Sequence, residues 1–126
     1  MRIKGSGSFC LRVDAGYCAV AALCVAVFAR PLGSALGVPA ALLLGVAVLT
    51  FAWAGLLLFA ASVPRLRAPL GGVMAANVIA ATLIAVLGLM RPVDALSLLL
   101  LAVSAEVGAF ALWQALLLLP APRPRG

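Results

Sequence analysis

Four long apolar stretches separated by short polar breaks run along this chain. The breaks are rich in proline, glycine and arginine, which end helices or stay in water. The stretches predict helices over residues 11–29, 39–63, 73–90 and 93–119, followed by a disordered tail over residues 120–126. Each predicted helix is close in length to the roughly 20 residues that a helix needs to cross a bilayer. The pattern therefore predicts an all-α, four-span antiparallel transmembrane bundle that forms one domain over residues 1–126.

Arginine–proline pairs mark two of the breaks. Arg30 with Pro31, and Arg91 with Pro92, are expected to end the first and third helices, because a residue before proline avoids the helical conformation. The Gly- and Ser-rich residues 1–10 are predicted to be a frayed tail. Residues 31–37 and 64–72 are predicted to be loops.

The two halves of the sequence resemble each other. The arginine–proline pairs are 61 residues apart, and Trp53 and Trp113, each followed by small and leucine residues, are 60 apart. Either one helical hairpin has been duplicated, or an Ala/Leu-rich sequence matches itself by chance. Under both explanations the intramembrane polar groups differ between the halves, since Glu106 aligns with Val46.

The composition requires lipid around the chain. Hydrophobic residues make up 67% and charged residues 10% of the sequence, and its mean hydropathy is +1.29. Soluble domains have about 45–50% apolar and 25% charged residues. The net charge of +6 indicates anionic lipid headgroups as a partner. It does not indicate nucleic acid, because no contiguous basic face interleaved with aromatic residues exists.

The basic residues also predict the orientation. One side of the membrane would hold Arg2, Lys4, Arg12, Arg65, Arg67, Arg123 and Arg125, and the other side Arg30 and Arg91. The positive-inside rule then places both termini in the cytoplasm. The expected location is the cell (inner) membrane, with the chain crossing it several times.

Residue types that carry chemistry are scarce. The sequence has no histidine, and its three cysteines form no C-x-x-C pair, so neither a metal site nor a cofactor is expected. It also lacks a phosphate-binding loop and paired acids. We therefore predict that the protein is not an enzyme.

Glu106 is the candidate that most needs explanation, because it lies in the middle of a long, leucine-rich apolar stretch. A carboxylate at that depth costs about 2.5–3.5 kcal/mol on insertion scales. About ten leucines in the stretch offset this cost, each worth about −0.3 to −0.6 kcal/mol. Glu106 is expected to share a helix face with Ala102, Ala109 and Trp113. It is either a neutral packing group that hydrogen-bonds a partner or a protonatable functional site.

Other polar residues complete the candidate intramembrane site. Asn77 and Gln114 are expected at similar depth on antiparallel helices, where their amides could hydrogen-bond. Asp14 is interpreted as a cap near the start of the first helix, and Asp94 as the cap of the fourth. A second stripe on the fourth helix is suited to close helix packing and consists of Ser97, Ser104, Gly108, Ala111 and Ala115.

Short segments of the chain resemble a group of small actinobacterial integral membrane proteins. These segments are residues 11–15 (LRVDA), 31–33 (PLG), 36–39 (LGVP), 75–77 (AAN) and 110–111 (FA). The resemblance implies a four-helix inner-membrane protein of uncharacterised molecular function. It supplies no catalytic or binding residues, and it includes no acid at the position of Glu106.

Two functions follow as hypotheses. The first is a non-enzymatic accessory or interaction protein of the membrane, with a homodimer or another membrane protein as the partner. The alternative is a proton-coupled carrier of a small lipophilic substrate that works as a homodimer through Glu106. The chain is similar in size to small multidrug resistance transporters, but those have their glutamate in the first helix, whereas this chain has an aspartate there.

Overall fold

The computed structural model describes residues 2–120 and 122–125. Five helices follow one another: α1 (Arg2–Val27), α2 (Ala29–Leu36), α3 (Ala40–Ala61), α4 (Arg67–Leu89) and α5 (Ala95–Leu118). The described residues contain no strand. Four of these helices, α1 from Gly5 onward, α3, α4 and α5, are long and apolar enough to cross a membrane. The predicted all-α class with four candidate spans is therefore confirmed.

The chain divides into two compact units, one formed by Met1–Cys10 with Pro64–Gly126, and the other by Leu11–Val63. In the first unit, α4 and α5 pack against each other along their length. Gly71 lies beside Leu118. Near the other end of α4, Gly88 lies beside Leu101, which is near the start of α5. The order of these contacts makes the two helices antiparallel.

The Arg67 side chain closes one end of this hairpin. Its Nη2 donates a hydrogen bond to the backbone oxygen of Leu118 at 3.0 Å. The last carbonyls of a helix lack partners within the helix, and a cation there also suits the helix dipole. The start of α4 and the end of α5 are therefore held together.

Two prolines begin helices that the sequence analysis placed in loops. Pro31 is the third residue of α2, and Pro69 is the third residue of α4. The predicted loops over residues 31–37 and 64–72 are therefore wrong for most of their lengths. The physical reason is that the first N–H groups of a helix have no partner within it, so proline loses nothing in the first turn.

The two arginine–proline pairs consequently have different structures. Arg30 and Pro31 are helical, whereas Arg91 and Pro92 lie in the turn between α4 and α5. The similarity of the two halves therefore does not extend to the backbone at these aligned positions. A duplicated hairpin and chance similarity both stay open as explanations of the repeat.

Two glycines shape the connection between α2 and α3. Gly37 ends α2 with a φ of 70°, a left-handed conformation that favours glycine. A Cβ at Gly33 would lie 2.7 Å from the Val38 backbone oxygen, and the Val38 N–H donates to the Gly33 oxygen at 2.9 Å. The backbones approach so closely here that a side chain at either position would strain the turn.

The N-terminal segment is helical from Arg2, so the frayed tail predicted for residues 1–10 is wrong from residue 2 onward; Met1 lies outside the described residues. Glycine and serine are weak helix formers. Tertiary contacts compensate, since the Phe9 ring packs edge-on against Trp113 at 6.0 Å and Cys10 is fully buried. At the other end, residues 122–125 have no regular secondary structure, and residues 121 and 126 of the predicted tail lie outside the described part.

A capping box starts α5, as predicted for Asp94. The Asp94 carboxylate accepts a hydrogen bond from the Ser97 N–H at 2.8 Å, and the Asp94 N–H donates to the Ser97 hydroxyl at 2.9 Å. Arg91 forms an ion pair with the same carboxylate at 3.3 Å. These contacts satisfy the free N–H groups of the first turn and place a negative charge at the positive end of the helix.

Acidification should weaken this cap. The hydrogen bond from Ser97, together with Arg91, lowers the pKa of Asp94 below its ordinary value. The stabilisation is therefore fully present above the ordinary pKa and is lost as the pH falls through the lowered one. Asp94→Asn keeps a capping side chain but cannot titrate. We expect detergent-solubilised wild-type protein to lose more thermal stability than Asp94→Asn between about pH 7 and about pH 2; equal losses would show that the cap does not contribute.

Candidate functional site

A pair of amide side chains lies inside the α4–α5 hairpin. Asn77 Nδ2 donates to Gln114 Oε1 at 3.1 Å. Gln114 is fully buried and Asn77 is 5% exposed. The hydrogen bond that the sequence predicted between them is present, because the antiparallel helices bring both residues to the same level. In this position the pair joins the two helices and is buried between them.

The stripe of small residues on α5 seats α4, as predicted. Ser104 donates its hydroxyl to the backbone oxygen of Ala81 at 2.6 Å. A Cβ at Gly108 would lie 4.0 Å from the Ala81 side chain, which is ordinary contact. Small residues let helix backbones approach in a membrane, and serine adds a hydrogen bond across the interface. Ser104 and Gly108 thus lie on the side of α5 that packs against α4.

Glu106 lies on a different side of α5 and is exposed. It follows Ser104 by two residues, which is about 200° around a helix. Among the residues that the structure describes, none donates a hydrogen bond to the Glu106 carboxylate or forms an ion pair with it. The structure therefore does not join Glu106 to Asn77 and Gln114. The predicted polar group is split into an amide pair inside the hairpin and an acid outside it.

The surroundings of Glu106 on α5 are small and apolar. Ala102, Ala105 and Ala109 are all exposed next to it. The predicted face of Glu106, Ala102 and Ala109 is therefore an outer face of the hairpin. Trp113, also assigned to that face, is partly covered by Phe9 and stacks with Phe110 at 6.4 Å.

Asp14 is not a helix cap, which corrects the interpretation from sequence. Because α1 begins at Arg2, Asp14 lies in the interior of the helix and is 1% exposed. The Cys18 thiol donates to its Oδ1 at 3.6 Å. This contact was missed from the sequence, although the spacing of four residues places both side chains on one helix face.

The hydroxyl groups of Thr50 and Thr82 are satisfied locally. Each donates to the backbone oxygen four residues earlier, at 2.8 Å. This is the usual arrangement of threonine within a helix.

Metal-binding residues do not cluster in the described part of the chain. No group of three or more His, Cys, Asp or Glu residues there could hold a metal ion. None of Cys10, Cys18 and Cys24 forms a disulfide. The polar side chains within the described candidate spans include amides, hydroxyls, three thiols, the guanidinium groups of Arg12 and Arg67, and the carboxyl groups of Asp14 and Glu106.

No family model, curated protein or solved structure matches this chain. Its function has to be inferred from its own residues. The feature with the most chemical content is Glu106, a carboxyl group on the outer face of an apolar helix.

Proposed function

We propose that this protein is a multi-pass, non-enzymatic protein of the inner membrane that acts as an interaction partner within the bilayer. The observation that carries the proposal is the position of Glu106. Its carboxyl group is exposed about 17 Å from either end of α5, given a rise of 1.5 Å per residue. The Glu106 side chain is thus a polar group on the outer surface of the hairpin, where it meets lipid or a partner.

Lipid chains are a poor environment for this group. A charged carboxylate in hydrocarbon costs about 2.5–3.5 kcal/mol on insertion scales, and acyl chains offer neither donors nor acceptors. A protein partner can supply the missing hydrogen bond and exclude lipid at the same time. The exposed alanines beside Glu106 leave room for a partner helix to approach.

The arrangement of the other polar groups also favours binding over transport. Asn77 and Gln114 bond each other inside the hairpin, and Ser104 bonds Ala81. A carrier needs polar groups that line a path for its substrate. Here these groups instead hold helices together.

The orientation in this proposal has both termini in the cytoplasm. Four exposed arginines lie near the start of α4 or after the end of α5, namely Arg65, Arg67, Arg123 and Arg125. Their charges suit water or anionic headgroups on the cytoplasmic side. A reporter that is active only in the cytoplasm tests this orientation and should be active when fused after residue 126. Absence of that activity, together with activity of a reporter that works only outside the cytoplasm, would contradict it.

Photo-crosslinking in native membranes tests the interaction itself. A photoreactive amino acid replaces Ala102 beside Glu106 or, as the control, Leu83, which is 66% exposed on α4. We expect a discrete protein adduct from position 102, none from position 83, and loss of the adduct in Glu106→Leu. Adducts with lipid alone from both positions would contradict the proposal.

A proton-coupled carrier is the second candidate, because Glu106 is a protonatable group within a membrane span. It would carry a small lipophilic substrate as a homodimer. Purified protein in liposomes under a pH gradient distinguishes it. Substrate flux that Glu106→Gln abolishes would favour the carrier, whereas absence of flux in wild-type protein would favour the interaction protein.

A further inference from the structure

We propose that the partner at Glu106 is a second copy of this chain, held by a pair of Glu106 carboxyl groups between two parallel α5 helices. The inference rests on the proposed function and names its partner. The contact surface, here called the Glu106 seam, consists of Leu99, Ala102, Glu106, Ala109 and Leu116. All five residues are exposed in the chain.

The spacing of the Glu106 seam is that of a coiled-coil contact. Its residues follow one another at intervals of three, four, three and seven, so Leu99 and Glu106 occupy one class of core position. Ala102, Ala109 and Leu116 occupy the other class. Such a repeat keeps one helix side against a partner over several turns. The two alanines on either side of Glu106 let the backbones approach closely.

Packing of α4 against α5 leaves the seam residues exposed on the hairpin. The side of α5 that carries Ser104 and Gly108 is occupied by α4. Leu116 is 57% exposed and Leu99 is 56% exposed. Trp113, the core position of the same repeat between Ala109 and Leu116, is partly covered by Phe9. The seam is therefore free from Leu99 to Ala109 and again at Leu116.

Chemical complementarity selects a second copy as the occupant. A protonated carboxyl group is both a donor and an acceptor, so two of them can exchange two hydrogen bonds. In a two-fold dimer with its axis along the membrane normal, the same residue of both copies lies at the same depth. Symmetry thus brings Glu106 against Glu106, and pairing as neutral acids avoids a buried charge. A single polar residue at such a core position also fixes the register of the two helices.

The other acids of the sequence do not offer this contact. Of the three acidic residues, Asp14 is buried and receives the Cys18 thiol, and Asp94 caps α5. Large apolar residues such as Val48 and Leu49 of α3 are exposed too, and lipid chains suit them. Glu106 therefore marks one outer helix face as a protein contact.

Disulfide trapping of the full chain in vesicles tests the seam. In a background with Cys10→Ala, Cys18→Ser and Cys24→Ala, a cysteine replaces either Ala102 or Leu83. The Leu83 control is exposed at nearly the same level of the hairpin, because its neighbour Ala81 contacts Ser104. In phosphatidylcholine vesicles containing phosphatidylglycerol, mild oxidation should give a covalent dimer from Ala102→Cys only.

The contribution of the carboxyl pair to dimerisation is obtained from the fraction of dimer, measured while the protein is diluted with increasing amounts of lipid. Glu106→Leu should weaken dimerisation about 5- to 30-fold, the range for one or two polar contacts between membrane helices. Glu106→Gln should stay within about threefold of wild type, because an amide also donates and accepts. Circular dichroism confirms that each variant keeps its helices.

An exchange of the two side chains provides the matched control. The variant Glu106→Leu with Leu83→Glu keeps composition, charge and membrane depth, but moves the acid to α4. It should lose the Ala102→Cys disulfide as Glu106→Leu does. The proposal is overturned if wild-type protein stays monomeric at every protein-to-lipid ratio, or if either leucine variant dimerises as well as wild type.

The two proposals fail differently. A single foreign protein crosslinked at position 102 in native membranes, without the vesicle dimer, overturns the second copy but leaves the interaction function standing. Lipid adducts alone, without a dimer, overturn both.

Discussion

Gln114→Leu is expected to destabilise the α4–α5 hairpin, and Asn77→Leu in the same chain to restore part of the loss. Gln114 is fully buried, and its Oε1 accepts from Asn77 at 3.1 Å. Each single change takes a hydrogen bond from a buried amide, which costs about 1–3 kcal/mol. Replacing both amides removes the need for the bond. The coupling between the two positions should be about 0.6–1.7 kcal/mol, the range seen for polar pairs in a membrane protein.

The coupling is measured as a double-mutant cycle, with unfolding by a denaturing detergent followed by circular dichroism. Thr82→Val serves as the control on α4, because the Thr82 hydroxyl bonds only its own helix backbone at Val78. We expect it to change the free energy of unfolding by less than about 0.5 kcal/mol. Additive effects of Asn77→Leu and Gln114→Leu would mean that the pair does not join the two helices.

Gly88→Ile is expected to force α4 and α5 apart near the turn that joins them. A Cβ at Gly88 would lie 3.2 Å from Leu101 Cγ and 3.3 Å from Leu100 Cβ, closer than ordinary contact. Isoleucine adds three further carbon atoms at this point. Overpacking of this kind costs about 1–3 kcal/mol. The same detergent unfolding measures the loss.

Gly72→Ile is the matched control on the same helix. A Cβ at Gly72 would meet no other atom within 4 Å under the same geometric criteria. Isoleucine is also a better helix former than glycine, so stability should be unchanged or rise by a few tenths of a kcal/mol. If both variants lose the same stability, the close approach at Gly88 is not what limits the hairpin.

Helix boundaries were the least predictable part of the fold. Pro31 and Pro69 were interpreted as breaks, yet each lies in the first turn of a helix. Proline is unfavourable in a helix interior but costs little in the first turn, so its presence alone does not tell an end from a beginning. The N-terminal glycines and serines also gave a wrong prediction, that of a frayed tail before the first helix. Their weak local preference was outweighed by contacts of Phe9 with a residue about a hundred positions away.

The amide pair, by contrast, could be predicted. Asn77 and Gln114 lie on consecutive antiparallel spans, so their distances from the shared connection give their relative depth. Similar depth and a preference of buried amides for partners then indicate a hydrogen bond. The role of Asp14 could not be predicted in this way, because it depends on the residue at which α1 begins, and that residue was predicted wrongly.

Local composition was enough to determine the four apolar spans, their approximate lengths, the all-α class and the depth of Glu106 within its span. The direction of the Glu106 side chain depended on tertiary structure. α5 is apolar on all sides, so amphipathicity does not indicate which side meets α4. That choice is made by contacts between residues far apart in the sequence, such as Ser104 with Ala81. These contacts use one side of α5 for the hairpin and leave Glu106 on an outer face.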